Sequence, residues 1–160
     1  MNFPQTDKTV GSIEQAISSS HKVAECCVVG IADALKGQLP FAFITLSASD
    51  HPESAVVSDV LFKEIQGLVR SQIGAIASLG GIIQGKGMIP KTRSGKTLRR
   101  VLRELLDNAV HGEFDKSVEI PATVEERSVV DVARKRIKEY FDVKGADIHK
   151  ATEERVKAKL

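Results

Sequence analysis

The chain of 160 residues contains no tryptophan, and its one tyrosine is Tyr140. Cysteine occurs twice, as the neighbours Cys26 and Cys27, and there is no CxxC. Adjacent cysteines do not staple distant parts of a chain, and two thiols do not complete a zinc site. Both a disulfide scaffold and a cysteine metal site are therefore disfavoured. The pair fits a buried strand in a reducing compartment. No run of 18 apolar residues occurs, so no membrane span is expected. The opening MNFPQTDKTV has no apolar signal-peptide core. Internal repeats and low-complexity tracts are also missing.

What remains has globular proportions. Hydrophobic residues make up 42% and charged residues 28%. That is enough for one compact domain with a core, and it excludes a wholly disordered chain. The net charge of +2 conceals an uneven distribution. Residues 1–85 carry a net −3, residues 86–110 a net +5, and residues 111–160 balance. The positive field thus comes from one short segment, with Lys86, Lys91, Arg93, Lys96, Arg99, Arg100 and Arg103. Such a focus suits a phosphate-bearing partner, and it equally suits a solvated helix face.

Local patterns organise the chain. Residues 1–10 read as an irregular lead-in. Ser12 and Gln15 are spaced to box the start of a helix over about 12–19, with Ile13, Ala16 and Ile17 on its apolar face. Residues 23–29, VAECCVV, read as a buried strand. A second strand follows at about 39–47, and the short turn between the two implies a hairpin. A helix is expected over 58–73, from the spacing of Leu61, Ile65, Leu68, Val69 and Ile73, with Gly74 ending it. A short strand is expected around Ile82–Gln84. Pro90 bars a helix from crossing it. A basic helix should run from near Thr97 to about 109, with Val101, Leu102, Leu105 and Leu106 facing the core. Residues 111–122 read as a connector. Thr123 and Glu126 could box a last helix bearing Val129, Val132, Ala133, Ile137, Tyr140 and Phe141, with a break at Gly145. The domain reading is then 1–10 lead-in, 11–141 folded unit, and 142–160 a polar, mobile tail.

The segment that can carry chemistry is 90–100, PKTRSGKTLRR. Its SGKT suggests a P-loop, but that motif needs glycine where Pro90 stands. A different logic fits. Thr92, Ser94 and Gly95 favour a tight turn, from which Lys96 projects at the start of a helix. A lysine ammonium is a mobile point charge with three donors, able to meet a phosphate and a carboxylate oxygen together. As charge shifts during attack on a phosphate, such a cation stabilises the transition state. Arg93, Ser94, Gly95 and Arg99 are further candidates for phosphate or domain contact. Solvation is the competing role for the arginines. Nucleic-acid binding is not expected, because residues 86–110 contain no aromatic side chain on which bases could stack.

PKTRSGK followed by TLRRVLREL resembles the last core motif of the adenylate-forming, AMP-binding enzymes, and within them the acetyl- and propionyl-CoA synthetase group. GSIEQAI, VAECCVVGIADALKGQLPFAFITL and FKEIQGLVRSQIGAIA resemble the same C-terminal domain in the same order. Together they cover roughly residues 11–110. The resemblance implies an α/β fold of the α+β type, a small mixed sheet with flanking helices. It also implies a role as the mobile C-terminal domain of an ATP-dependent acid-thiol ligase. That ligase joins a carboxylate to ATP, giving acyl-adenylate and pyrophosphate, and then transfers the acyl group to CoA, releasing AMP. ATP, with its Mg2+, and CoA are substrates of such a full enzyme. No tightly bound cofactor or metal is expected on this chain.

Residue by residue, the resemblance matches Lys96 to the adenylation lysine, which the family also acylates to silence the enzyme. It matches Arg70 to a CoA-contacting arginine. It matches Glu14 to a position just after the hinge, where a structural role competes, and Gly37 to a glycine between strands. The hinge segment does not match, and His21-Lys22 stands where relatives often carry His-Pro. The implied partners are a large N-terminal adenylation domain and protein acylation and deacylation enzymes. The isolated chain is expected to be inactive. The alternative is a free-standing regulatory or protein-binding module derived from such a synthetase. Ala158-Lys159-Leu160 resembles a peroxisomal address read by an import receptor. The expected location is the peroxisome on that reading, and the cytoplasm otherwise.

Overall fold

The strands alternate between two apolar faces rather than hiding one face and wetting the other. In the computed structural model, backbone is described for residues 3–33, 37–47, 54–74 and 77–159, and side chains for 9–32, 38–47, 54–74 and 77–145. Strand β1 (Val23–Asp33) pairs antiparallel with β2 (Gly37–Leu46), Cys27 opposite Phe43 and Val29 opposite Phe41. Strand β3 (Gly81–Gln84) adds to the other side of β2 in parallel, Phe43 opposite Ile83. The result is the expected small mixed sheet, of order β1-β2-β3, with helices on both sides.

Because side chains alternate along a strand, one face carries Cys27, Val29, Ile31, Phe41, Phe43 and Ile83. The other carries Val28, Ala42, Ile44 and Ile82. Helix α1 (Phe3–Ser18) lays Val10, Ile13, Ala16 and Ile17 on the second face, beside α2 (Asp59–Ile73) with Ile65 and Val69. Helix α3 (Arg99–Val110) covers the first face with Val101, Leu102, Leu105 and Leu106. Helix α4 (Ser128–Lys159) adds Val130, Ala133, Ile137 and Tyr140 there. The Tyr140 ring meets Phe41 edge-on at 6.0 Å between centroids. Burial pushes its hydroxyl up to about 12. The backbone at Gly80 approaches this cluster so closely that a Cβ there would meet Leu39 at 2.5 Å and Phe41 at 2.8 Å.

Helix α2 begins and ends as its sequence dictates. The Ser58 hydroxyl accepts the Leu61 N–H at 3.2 Å. Gly74, at φ 116°, donates its N–H to the Arg70 carbonyl at 2.9 Å. Other boundaries differ from expectation. Helix α1 starts at Phe3, so Ser12 and Gln15 stand exposed in its middle and cap nothing. Val10, three residues before Ile13, extends the buried stripe upstream. Gly145 does not break α4, whose backbone stays helical to Lys159. A single glycine costs a helix only about 1 kcal/mol relative to alanine. Val132 is exposed rather than core-facing. Thr123 and Glu126 do not cap α4, because Val124 is drawn into an extended pairing with Thr92.

Candidate functional site

The basic segment folds into a small ribbon ahead of α3. Lys91 pairs antiparallel with Thr97, and Thr92 with Val124. The Thr92 N–H donates to the Lys96 carbonyl at 2.8 Å, closing a hairpin whose loop is Arg93-Ser94-Gly95. Within it, the Gly95 N–H donates to the Thr92 carbonyl at 2.9 Å, and Gly95 sits at φ 88°. This is the three-residue hairpin loop that places glycine in the left-handed region. The Thr92 hydroxyl accepts the Lys96 N–H at 3.1 Å and lies 3.0 Å from the Ser94 hydroxyl. On the outer side, the Arg93 N–H donates to the Thr123 carbonyl at 3.2 Å and the Glu125 N–H to the Lys91 carbonyl at 2.8 Å. The loop is therefore held through its backbone from both sides, while the Lys96 side chain is exposed and forms no ion pair with another described residue.

Two ion pairs fix the arms of this hairpin. Lys91, on the incoming arm, pairs with Glu25 of β1. Arg99, on the outgoing arm, reaches Glu14 of α1. Its Nη2 lies 2.6 Å from each carboxylate oxygen. Glu14 Oε1 also accepts the Val28 N–H at 2.8 Å, so the carboxylate is tied to the backbone of β1. Desolvation pulls the Arg99 guanidinium down, but its hydrogen bond and attraction to Glu14 outweigh this and leave it raised.

The candidates thus separate. Lys96, Arg93 and Ser94 are exposed on the hairpin, and Gly95 shapes it. Arg99 is turned onto Glu14. Arg70 is exposed near the end of α2, in the helix layer on the opposite side of the sheet from α3. Arg100 stands 3.9 Å from Glu104 on the α3 surface. His21 is exposed. Among the described residues, no group of three or more His, Cys, Asp or Glu side chains gathers as metal ligands. Gly37 is described only through its backbone, and the side chains of Ala158 and Lys159 and all of Leu160 lie outside the described residues.

The thiols behave as core groups. Burial, with Glu14 nearby, pushes Cys27 from its ordinary value near 9 up to about 12, against the opposing pull of Arg99. Burial likewise raises Cys26. A thiol that stays neutral is a poor nucleophile. Between pH 9 and 12, the unfolded chain releases a Cys27 proton that the folded chain keeps. Stability must then fall as pH rises through that window. Alkylation at pH 8.5 with iodoacetamide should accordingly be slow in buffer and fast in denaturant. Equal rates in the two conditions would contradict the burial of Cys27.

Several similarities complete the picture. Residues 12–96 match the family described as AMP-binding enzyme C-terminal domain. The acetyl-coenzyme A synthetase of Xanthomonas oryzae pv. oryzae is 43% identical over 119 residues, 74% of this chain and 17% of that protein. The acetyl-coenzyme A synthetase of Vibrio parahaemolyticus is 38% identical over the same length. Among solved structures, the acyl-CoA synthetase of Brucella canis superposes with a TM-score of 0.52 at 29% identity, over 59% of this chain and 16% of that one. The acetoacetyl-CoA synthetase of Streptomyces lividans, at 21% identity and a TM-score of 0.56, shares the fold over 78% of this chain and 18% of its own. The chain spans about 17% of the length of the curated relatives it matches.

Proposed function

Because the chain belongs to the family of AMP-binding enzyme C-terminal domains, we propose that it is the small C-terminal part of an ATP-dependent short-chain acyl-CoA synthetase and supplies that enzyme's adenylation lysine, Lys96. The observation that carries this reading is an exposed lysine, free of ion pairs to described residues, on a hairpin whose backbone is fixed on both sides. A cation serves a transition state only if it is already in place when charge develops there. The hairpin provides that order without consuming the charge. When the carboxylate attacks the α-phosphorus of ATP, negative charge builds on the α-phosphate oxygens as pyrophosphate departs. The Lys96 ammonium, donating to an α-phosphate oxygen and a carboxylate oxygen together, aligns the two reactants and offsets that charge.

The ATP and acid sites belong, on this reading, to a larger N-terminal domain, and Mg2+ arrives with ATP. Acetate is the acid suggested by the acetyl-coenzyme A synthetases among the relatives, and propionate by the sequence resemblance to the acetyl- and propionyl-CoA synthetase group. Arg70, on the opposite helix layer, is the candidate for contact with CoA in the second half-reaction. The exposure that suits Lys96 to catalysis also opens it to an acylating enzyme, and acylation would remove the charge. The full-length protein should release pyrophosphate from ATP only when a short carboxylic acid is added, and form a thioester once CoA is present. No acid-dependent release with acetate, propionate or butyrate would overturn the reading. It would then favour the alternative of a protein-binding module without its own reaction.

A further inference from the structure

We propose that the Glu14–Arg99 ion pair is a positioning device for Lys96, acting with Lys91–Glu25 to bind the hairpin to the edge of the sheet. The inference rests on the role given to Lys96 above and concerns how its direction is set.

The hairpin is held by isolated bridges rather than by a full strand of the sheet. Its outgoing arm leads straight into α3, whose first residue is Arg99 and whose cap position, Leu98, makes no side-chain capping bond. Beyond the hairpin's own pairing and the packing of Leu98 on the core, two polar contacts tie that arm down. One is the Leu98 N–H donating to the Pro90 carbonyl at 2.8 Å. The other is Arg99 on Glu14. Glu14 is not a loose partner. It is held by the Val28 N–H of the outer edge of β1, and its side chain is only 20% exposed. A line of polar contacts thus runs from the β1 backbone through Glu14 and Arg99 to a point three residues from Lys96. The Lys91–Glu25 pair repeats the tie on the incoming arm, again to β1.

The pair is also a poor choice if stability were its purpose. Arg99 Nε is buried without a hydrogen-bond partner, a standing cost that an apolar side chain at position 99 would not carry. The pair is partly buried, with the Arg99 side chain 38% exposed and that of Glu14 20%, and such pairs add little net stability once desolvation is counted. What an apolar side chain cannot do is fix direction, and a displacement of about 1 Å in a reacting group can cost about a hundredfold in rate.

The test compares variants of the full-length protein. Glu14→Gln keeps an acceptor for the Val28 N–H and removes the charge that holds Arg99. Its adenylation kcat should fall roughly 10- to 100-fold with KM for ATP little changed. Conversion of preformed acyl-adenylate to thioester should stay near the parent rate. The double variant Glu14→Gln/Arg99→Met, which keeps an acceptor for the Val28 N–H, should melt close to the parent temperature and still adenylate slowly. Recovery of adenylation in the double variant, together with its melting temperature, would show the pair to be only structural and overturn the proposal. So would a folded Glu14→Gln variant with parent kcat. Lys96→Ala run alongside separates the two failures. If it too leaves adenylation unchanged, the role of Lys96 is wrong and positioning has no object. If it lowers the rate while Glu14→Gln does not, positioning alone is refuted.

Discussion

Replacing Lys96 with alanine in the full-length protein should lower the rate of acyl-adenylate formation by about 100- to 1000-fold, the usual loss when one preorganised electrostatic partner of a transition state is removed. The fold should not notice. Lys96 is exposed, and surface substitutions of this kind usually stay within about 0.5 kcal/mol of neutral. Its backbone carbonyl and N–H, which do the structural work in the hairpin, remain after the change. Two further measurements sharpen the expectation. Lys96→Arg should recover little, because a planar guanidinium on a different stem does not replace a compact ammonium with freely turning donors. Lys96→Gln, which resembles the acylated side chain in lacking charge, should be as slow as alanine. Thioester formation from preformed adenylate should survive all three. Near-parent pyrophosphate release by Lys96→Ala would remove this residue from the mechanism.

The second large effect concerns the core. Phe43 lies in the middle strand, opposite Cys27 on one side and Ile83 on the other, and is fully buried. Phe43→Ala should cost about 3–5 kcal/mol, the range for truncating a buried aromatic side chain and leaving a cavity. Small domains hold only about 5–15 kcal/mol in total, so a large part of the stability would go. In urea the midpoint should drop sharply, with a slope close to that of the parent. Val60, 76% exposed near the start of α2, provides the control. Val60→Ala should shift the midpoint little. Similar midpoints for the two variants would contradict a core packed on the Phe43 face.

The sequence made local features legible and long-range ones not. Gly74 ends α2 because a helix stop is written in a single residue at a fixed offset, whereas the cap at its start, Ser58, emerges only in the structure. The β1–β2 hairpin, like Gly74, is legible locally. The boxes expected at Ser12 and Thr123 failed because the pattern around each was overruled from a distance. Val10 carries the α1 stripe upstream into the core. Thr92 recruits Val124 into the ribbon before α4 can begin. The tight turn that carries Lys96 was readable from Thr92, Ser94 and Gly95, but the pairing of its arms into a hairpin ahead of α3 was not. Nor were its supports. Glu14 and Arg99 are 85 residues apart, and no spacing or composition announces that two ordinary charges will meet across the edge of β1. Nothing in a run of basic residues shows which one turns inward.

The mixed character of the sheet has a consequence for the order in which the molecule comes together. The β1–β2 pair closes through a short connection and forms from neighbours in the chain. The parallel β2–β3 pair forms only after the chain has travelled from Leu46 to Gly81, with α2 in between. Long closures have to be made before their contacts repay the lost entropy, which makes them slow. The Lys96 hairpin follows β3 directly and leans on α1 and β1 at once. It can reach its working shape only when early and late parts of the chain have met, so the charged tip is among the last pieces to assemble.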